Sequence, residues 1–360
     1  MNRESDRIRY YNLSFVNKDD TPQHAASVET RTSPIIERAS EWVMSVVRFD
    51  VDSSAIPINL PLMFIDPITG IPSTTLTRST VFLTYHGGTF AQDVNYAPPP
   101  LILPPLNLPA IYDYQTWLDN VNTALAAALT ASGAPGSAPL FIFNPVTGLI
   151  NLYVDENYIP LAGANKIVIG INQVLYQYFN NFEYAYSPST GITNNAPFYF
   201  LKFKITDSNT LKMPAVGSRA GLPNAVQAAP TNLFMYSQLA AGTGAWSSLR
   251  SIILTSNLIP YQVETITSNP GSSTNYASSS RFAIISDFLV PMERNVTEFR
   301  LVNEYLPTAE YRRVNLVGNG PLNTIDLKMY WTDFQGNIYP LYLQTSAGMS
   351  VKILFERKTL

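Results

Sequence analysis

Two histidines, His24 and His86, are the side chains of this sequence best suited to proton transfer near neutral pH. His24 lies in a polar N-terminal segment, and His86 follows a predicted strand and precedes Gly87 and Gly88. Neither histidine has an evident partner that would orient it as a general base. We interpret His86 as a turn residue at a strand end, and we predict no catalytic residue.

Two pairs of aspartates lie close enough together to suggest a cation site. Asp50 and Asp52 lie on one side of a predicted strand end, but no ligand-rich loop accompanies them, so we interpret them as solvated turn residues. Asp326 and Asp333 flank a strand that contains Trp331, and Asp333 stands where a turn favours an Asx residue. We interpret this second pair as structural, and we predict no metal site and no cofactor.

Other signatures of enzymes are missing from the sequence. It contains no cysteine, which excludes disulfides, thiolate metal sites and cysteine nucleophiles together. It also has no phosphate-binding loop, no dinucleotide fingerprint and no nucleophile elbow. A glycosidase would need two opposed carboxylates at a fixed separation, and nothing distinguishes the candidates Asp287, Glu293 and Glu298. An enzyme is therefore the least favoured class.

The composition favours a surface that is buried against partner subunits. Charged residues make up 14% of the chain, against roughly 25% in an average soluble domain, and the 21 tyrosines suit protein interfaces. A net charge of -3 argues against wrapping nucleic acid, so we predict no specific nucleic-acid partner and only local genome contact. The candidate interface residues are basic and aromatic and lie near both ends of the chain: Arg3, Arg7, Arg9, Tyr10, Tyr11, Arg312, Arg313, Arg357 and Lys358.

The sequence predicts an all-β protein with one clear helix. Short β-branched and aromatic runs are separated by turn residues that include many of the 27 prolines. Apolar residues at spacings of three and four predict a helix at about 116–131 with Thr116 as N-cap, and a hairpin turn is predicted at 144–148. There is no secretory signal and no apolar run long enough to span a bilayer, so we predict a soluble protein from a reducing compartment.

The first 33 residues are polar and aperiodic, and we interpret residues 1–33 as an extended arm without a core of its own. Deletion of residues 1–31 is accordingly predicted to leave the fold intact and to weaken contacts with neighbouring subunits.

Three stretches of the chain, 30–51, 120–129 and 310–358, contain TRTSPIIERASEWVMSVVRFDV, NVNTALAAAL and EYRRVNL with the later SVKILFERK. Together and in this order they resemble segments of viral minor capsid and penton-like proteins, such as those of virophages and Maverick or Polinton-type elements. The resemblance implies a jelly-roll β-sandwich formed by residues 34–100 and 281–360. A mostly-β insertion domain, residues 101–280, would carry the helix.

The resemblance also implies a function. Five copies of the chain would form an icosahedral vertex, in contact with the major capsid protein of the same particle, and the insertion domain would be available for a host receptor. The protein would be a virion component made in the cytoplasm or nucleus of the host cell. Two alternatives stay open: a major capsid protein with two successive jelly rolls, and a jelly-roll module that binds a receptor or a carbohydrate.

Overall fold

The computed structural model describes residues 7–97, 109–159, 166–187, 200–215, 218, 224–227, 232–241, 246–261, 264–267, 281–289, 302–305 and 312–358. The strands within these ranges are β1 (Ile8–Val16), β2 (Gln23–His24), β3 (Ala26–Thr30), β4 (Trp42–Asp52), β5 (Met63–Ile65), β6 (Pro72–Tyr85), β7 (Gly88–Asn95), β8 (Leu140–Asn144), β9 (Leu149–Asp155), β10 (Val168–Ile171), β11 (Tyr184–Ser187), β12 (Phe200–Phe203), β13 (Leu211–Lys212), β14 (Leu233–Ser237), β15 (Leu249–Thr255), β16 (Glu264–Thr267), β17 (Arg281–Leu289), β18 (Val302–Tyr305), β19 (Val314–Asn315), β20 (Thr324–Asp333), β21 (Ile338–Pro340), β22 (Tyr342–Leu343) and β23 (Gly348–Arg357). The helices are α1 (Tyr114–Ser132), α2 (Gln173–Phe179) and α3 (Asn224–Gln227), with single 3-10 turns at Ala39–Glu41 and Glu156–Tyr158.

Both ends of the chain build one β-sandwich. Sheet I contains β1, β23, β4, β18 and β19, and sheet II contains β16, β17, β15, β20, β21 and β3. The apolar faces of the two sheets form a single core, in which the rings of Phe49 and Phe288 lie 4.7 Å apart. The predicted all-β fold, a jelly-roll sandwich made from N- and C-terminal segments around a mostly-β insertion, is confirmed.

The N-terminal segment is part of this sandwich, so its interpretation as an arm without a core is wrong from residue 8 onward. β1 pairs with β23 along its whole length and places Tyr11 and Leu13 in the core. β3 pairs with β20 in sheet II. Alternate residues of β1 are exposed because they lie on the outer face of sheet I, and their side chains make the segment look polar in the sequence.

A second core lies in the insertion. It is enclosed by sheet III (β11, β12, β10, β6, β5 and β7), sheet IV (β13, β14, β9 and β8) and helix α1. The predicted helix is confirmed, and its face of Trp117, Leu118, Val121 and Leu125 is fully buried. Burying large apolar side chains of this kind stabilises the fold by about 1.5–3 kcal/mol each.

The sequence correctly indicates the C-terminal end of α1 but not its N-cap. Gly133 ends the helix with φ +60°, as its lack of a side chain allows. The N-cap is Asp113 and not Thr116, because the Asp113 carboxylate accepts the backbone N–H of Thr116 at 2.9 Å.

The two cores divide the chain differently from the predicted domains. The sandwich core takes residues from 11–56 and 249–355, and the second core takes residues from 58–246. β6 and β7, expected in the jelly roll, belong to the second core because β6 pairs with β10. β15, expected in the insertion, pairs with β20 in the sandwich. We therefore propose domain limits near residues 57 and 247, which makes the second unit an insertion and not a successive jelly roll.

His86 is a turn residue, as predicted. It joins β6 to β7 together with Gly87, and the φ angles of +48° and +78° place both residues in the left-handed region that a two-residue hairpin turn requires.

Candidate assembly surfaces

Basic residues from four neighbouring chain segments meet at one end of sheet I. β23 lies between β1 and β4, so that Glu356 pairs with Ile8 and Arg357 pairs with Trp42. We call this region the basic end and define it by Arg7, Arg9, Arg38, Arg313, Arg357 and Lys358. Strand pairing thus brings together five of the predicted interface residues: Arg7, Arg9, Arg313, Arg357 and Lys358.

Two glutamates hold several of these cations in place. Glu41 accepts hydrogen bonds from Arg357 at 2.6 Å and from Arg38 at 3.3 Å. Glu356 lies 3.2 Å from the Arg313 guanidinium. Arg357, with a smaller effect from Arg38, holds the pKa of Glu41 below its ordinary value. Exposed ion pairs of this kind contribute little stability, so they orient side chains more than they hold the fold. The sequence analysis missed Glu41 and Glu356, because only strand pairing places them beside these arginines.

Two of the remaining cations of the basic end, Lys358 and Arg9, donate to backbone carbonyl groups. The Lys358 ammonium donates to the carbonyl of Ser40 at 2.8 Å. Arg9 donates to the carbonyl of Ile35 at 2.6 Å, and its guanidinium lies 5.6 Å from the centre of the Trp42 ring. Arg7 accepts the backbone N–H of Arg357 at 2.9 Å through its own carbonyl.

Three other predicted interface residues, Tyr10, Tyr11 and Arg312, are not part of the basic end. Tyr10 is 58% exposed on the outer face of sheet I, where the ammonium of Lys352 lies 4.7 Å from its ring centre. Tyr11 is a core residue of its own chain, which corrects its prediction as a surface contact. Arg312 pairs with Asp287 at 2.7 Å. Arg3 lies outside the described residues.

Burial raises the pKa of Tyr11. Its hydroxyl accepts a hydrogen bond from Arg31 at 3.1 Å. The alternation of Tyr11 and Leu13 with Asn12 and Ser14 was the available signal for its burial.

The second aspartate pair is structural, as predicted. The Asp326 carboxylate accepts the hydroxyl of Ser256 and the backbone N–H groups of Asn257 and Leu258. The Asp333 carboxylate accepts the backbone N–H groups of Gln335 and Asn337 and the hydroxyl of Tyr339. Both carboxylates stabilise turns of the sandwich.

Asp52 accepts the N–H of Ser54 in a turn, whereas Asp50 lies within β4 and accepts the hydroxyl of Ser350. Across the described ranges, no group of three or more His, Cys, Asp or Glu side chains could hold a metal ion. Of the three carboxylates considered for a glycosidase, Asp287 is paired with Arg312, and Glu293 and Glu298 lie outside the described residues. None of the helices that the structure describes is long and apolar enough to cross a membrane.

His24 gives the sandwich a pH-dependent contact between β2 and β20. Its Nε2 lies 2.8 Å from the carbonyl oxygen of Met329, and its ring packs against Tyr330. Burial lowers the pKa of His24, so the folded state favours the neutral imidazole.

We expect the free energy of unfolding to be greatest above the ordinary histidine pKa of about 6.5 and to fall as the pH drops through the lowered value. Urea unfolding at a series of pH values measures this loss. His24→Gln should reduce the loss, whereas the control His86→Asn should keep it. An equal loss in wild type and His24→Gln would contradict the assignment.

Two hairpins of the second unit carry the same exposed turn. Residues 66–70 read DPITG between β5 and β6, and residues 144–148 read NPVTG between β8 and β9. In each turn the side-chain oxygen of the first residue accepts the N–H groups of the third and fourth residues. Each ends in a glycine with φ near +68°. We call these the paired turns, and they hold Ile68 and Val146 at 93% and 91% exposure.

Comparison with known proteins identifies relatives along the whole chain. The sequence model of the family described as Sputnik minor capsid protein V18/19 matches residues 9–357. Structural protein V19 of Sputnik virophage is 30% identical over 115 residues, which cover 32% of this chain and 51% of V19, so the match spans about half of that relative. Uncharacterized protein V18 of the same virophage is 32% identical over 130 residues, covering 31% of this chain and 75% of V18.

Two solved structures share the fold. A chain of the Sputnik virophage structure determined by cryo-EM superposes with a TM-score of 0.75 and 24% identity, over 98% of both chains. The mavirus penton protein superposes with a TM-score of 0.63 and 16% identity, over 98% of this chain and all of that protein.

Proposed function

This chain belongs to the Sputnik minor capsid protein V18/19 family and is a structural protein of the virion capsid, and from that premise we propose that it forms homopentamers at the vertices of an icosahedral particle. The likeness in fold to the mavirus penton protein over nearly the whole chain carries this proposal. A cyclic oligomer closes on itself, as a vertex requires. We infer a non-enzymatic role, contacts with the major capsid protein of the same particle, and synthesis in the cytoplasm or nucleus of the host cell.

The edge strand β1 is the surface that we assign to contacts between neighbouring copies. Ile8, Tyr10 and Val16 are large apolar side chains that stand exposed on this strand. They lie on the outer face of sheet I, since Tyr11 and Leu13 face the core. An exposed edge strand with apolar residues favours pairing with another chain.

Light scattering behind a sizing column, at several concentrations of purified protein, tests the oligomer. We expect a discrete species of five 39.9 kDa chains, or a monomer that closes into fives as concentration rises. A stable trimer would favour the major capsid alternative. A monomer at every concentration would favour the receptor- or carbohydrate-binding module.

The paired turns support attachment to a host protein as a second role of the insertion. Their tips carry aliphatic side chains, and the five residues of each turn include no basic or aromatic residue, so they suit an apolar protein pocket better than an anionic membrane or a sugar. Hydrogen bonds within each turn hold Ile68 and Val146 in place, which lowers the entropic cost of binding.

We expect Ile68→Ser combined with Val146→Ser to reduce binding of labelled pentamers to host cells at least tenfold, because two apolar contacts per subunit are lost. Stability should change by less than about 0.5 kcal/mol, since both side chains are exposed. The matched control is Leu211→Ser with Leu239→Ser, which removes two leucines that are exposed elsewhere in the same unit. Equal binding by both double variants would contradict the role of the paired turns.

A further inference from the structure

The basic end carries positive charge in a chain that is acidic as a whole. Its six cations are accompanied by three carboxylates, Glu37, Glu41 and Glu356, which leaves an excess of three positive charges. The whole chain has a net charge of -3. Since the basic end contributes +3 to a net charge of -3, the rest of the chain carries a net charge of -6.

The direction of the strands places this end far from the insertion. β4 begins at the basic end with Trp42 and runs to Asp52, after which the chain reaches Ile58 in the second core. A strand rises by about 3.3 Å per residue, so the eleven residues of β4 separate the basic end from the start of the second unit by roughly 35 Å. The sandwich thus has a basic end and an insertion end.

The cations are spread across the width of sheet I. They lie on or next to strands β1, β23, β4 and β19, which follow each other in this order in the sheet. The side chains of Arg38, Arg313 and Arg357 are 72%, 62% and 50% exposed. A guanidinium has five N–H donors, so an arginine that binds one carboxylate retains donors for a phosphate.

We propose that the basic end binds the phosphate backbone of nucleic acid without sequence preference, and that it faces the packaged genome when the insertion faces outward. The orientation rests on the proposed capsid function, but the binding does not. The phosphate backbone is a repeating polyanion, so it can contact several cations of the basic end at once. An acidic patch on a neighbouring subunit would instead need a carboxylate at a matching position for each cation.

Fluorescence anisotropy with a short labelled double-stranded DNA of arbitrary sequence, titrated at several salt concentrations, tests the proposal on the full chain. The variant is Arg38→Gln with Arg313→Gln and Lys358→Gln. The control, Lys202→Gln with Lys204→Gln and Lys212→Gln, removes three positive charges from the second unit. We expect the basic-end variant to bind at least tenfold more weakly. Its slope of log affinity against log salt should be smaller by roughly two to three, because each lost phosphate contact removes about 0.9.

Three results would overturn the proposal: no binding of wild type at low salt, equal weakening by both triple variants, or equal competition by poly-glutamate and unlabelled DNA. Tighter binding to phosphatidylserine vesicles than to DNA would assign the surface to lipid and would also overturn it. Light scattering on the same samples measures the oligomeric state, which tests the proposed pentamer independently of DNA binding. Pentamers that do not bind DNA contradict the inference alone.

Discussion

Deletion of residues 1–17 is expected to abolish the stable fold of the sandwich. The deletion removes β1, which pairs with β23 over nine residues, and takes Tyr11 and Leu13 out of the core. Each of these side chains contributes about 1.5–3 kcal/mol by burial, and the loss of the strand adds the hydrogen bonds that β23 would have to replace with water. Native domains are stable by only about 5–15 kcal/mol, so most of the stability would be lost.

Chemical unfolding followed by circular dichroism measures this loss, and deletion of residues 1–6, which precede β1, is the control. The shorter deletion should unfold at the wild-type denaturant concentration, and the longer one should be aggregated or unfolded without denaturant. Equal midpoints for both deletions would restore the interpretation of this segment as an arm.

Gly170→Val is expected to destabilise the second unit by about 3 kcal/mol or more. Gly170 pairs with Phe82 across β10 and β6, and the Phe82 ring lies over the glycine. A Cβ at this position would lie 1.9 Å from the ring, and Phe82 is buried, so the Cβ can be accommodated only if a buried ring shifts. Overpacking of a core typically costs 1–3 kcal/mol, and the two further methyl groups of valine increase the clash.

Urea unfolding measures the effect, with Gly320→Ala as the control because no atom lies within 4 Å of a Cβ at Gly320. The losses from Gly170→Val and Phe82→Ala should sum to less when the two are combined, since removal of the ring removes the clash. A Gly170→Val variant as stable as the control would show that the ring does not fill this space.

Local patterns in the sequence were sufficient for the elements that depend on nearby residues. The three-and-four spacing from Trp117 to Leu129 and the position of Gly133 determine helix α1. His86 with Gly87, and the turn from Asn144 to Gly148, follow from short-range turn chemistry. The same chemistry repeats at residues 66–70, and comparison of DPITG with NPVTG would have found the paired turns.

These local patterns could not predict which distant segments of the chain pair with each other. The domain limits differ because β6 pairs with β10, about ninety residues later and on the other side of the boundary predicted at residue 100. The basic end is assembled by β4 and β23, which are about three hundred residues apart, so no spacing in the sequence relates Glu41 to Arg357. Arg312 and Arg313 are adjacent in sequence, yet they pair with different carboxylates.

Electron cryo-microscopy of particles that contain this protein tests its vertex role most directly. We expect five copies around each fivefold axis, with Ile68 and Val146 on the outside and the basic end directed to the interior. Density for this fold in the capsomers between the vertices, and none at the fivefold axes, would contradict it.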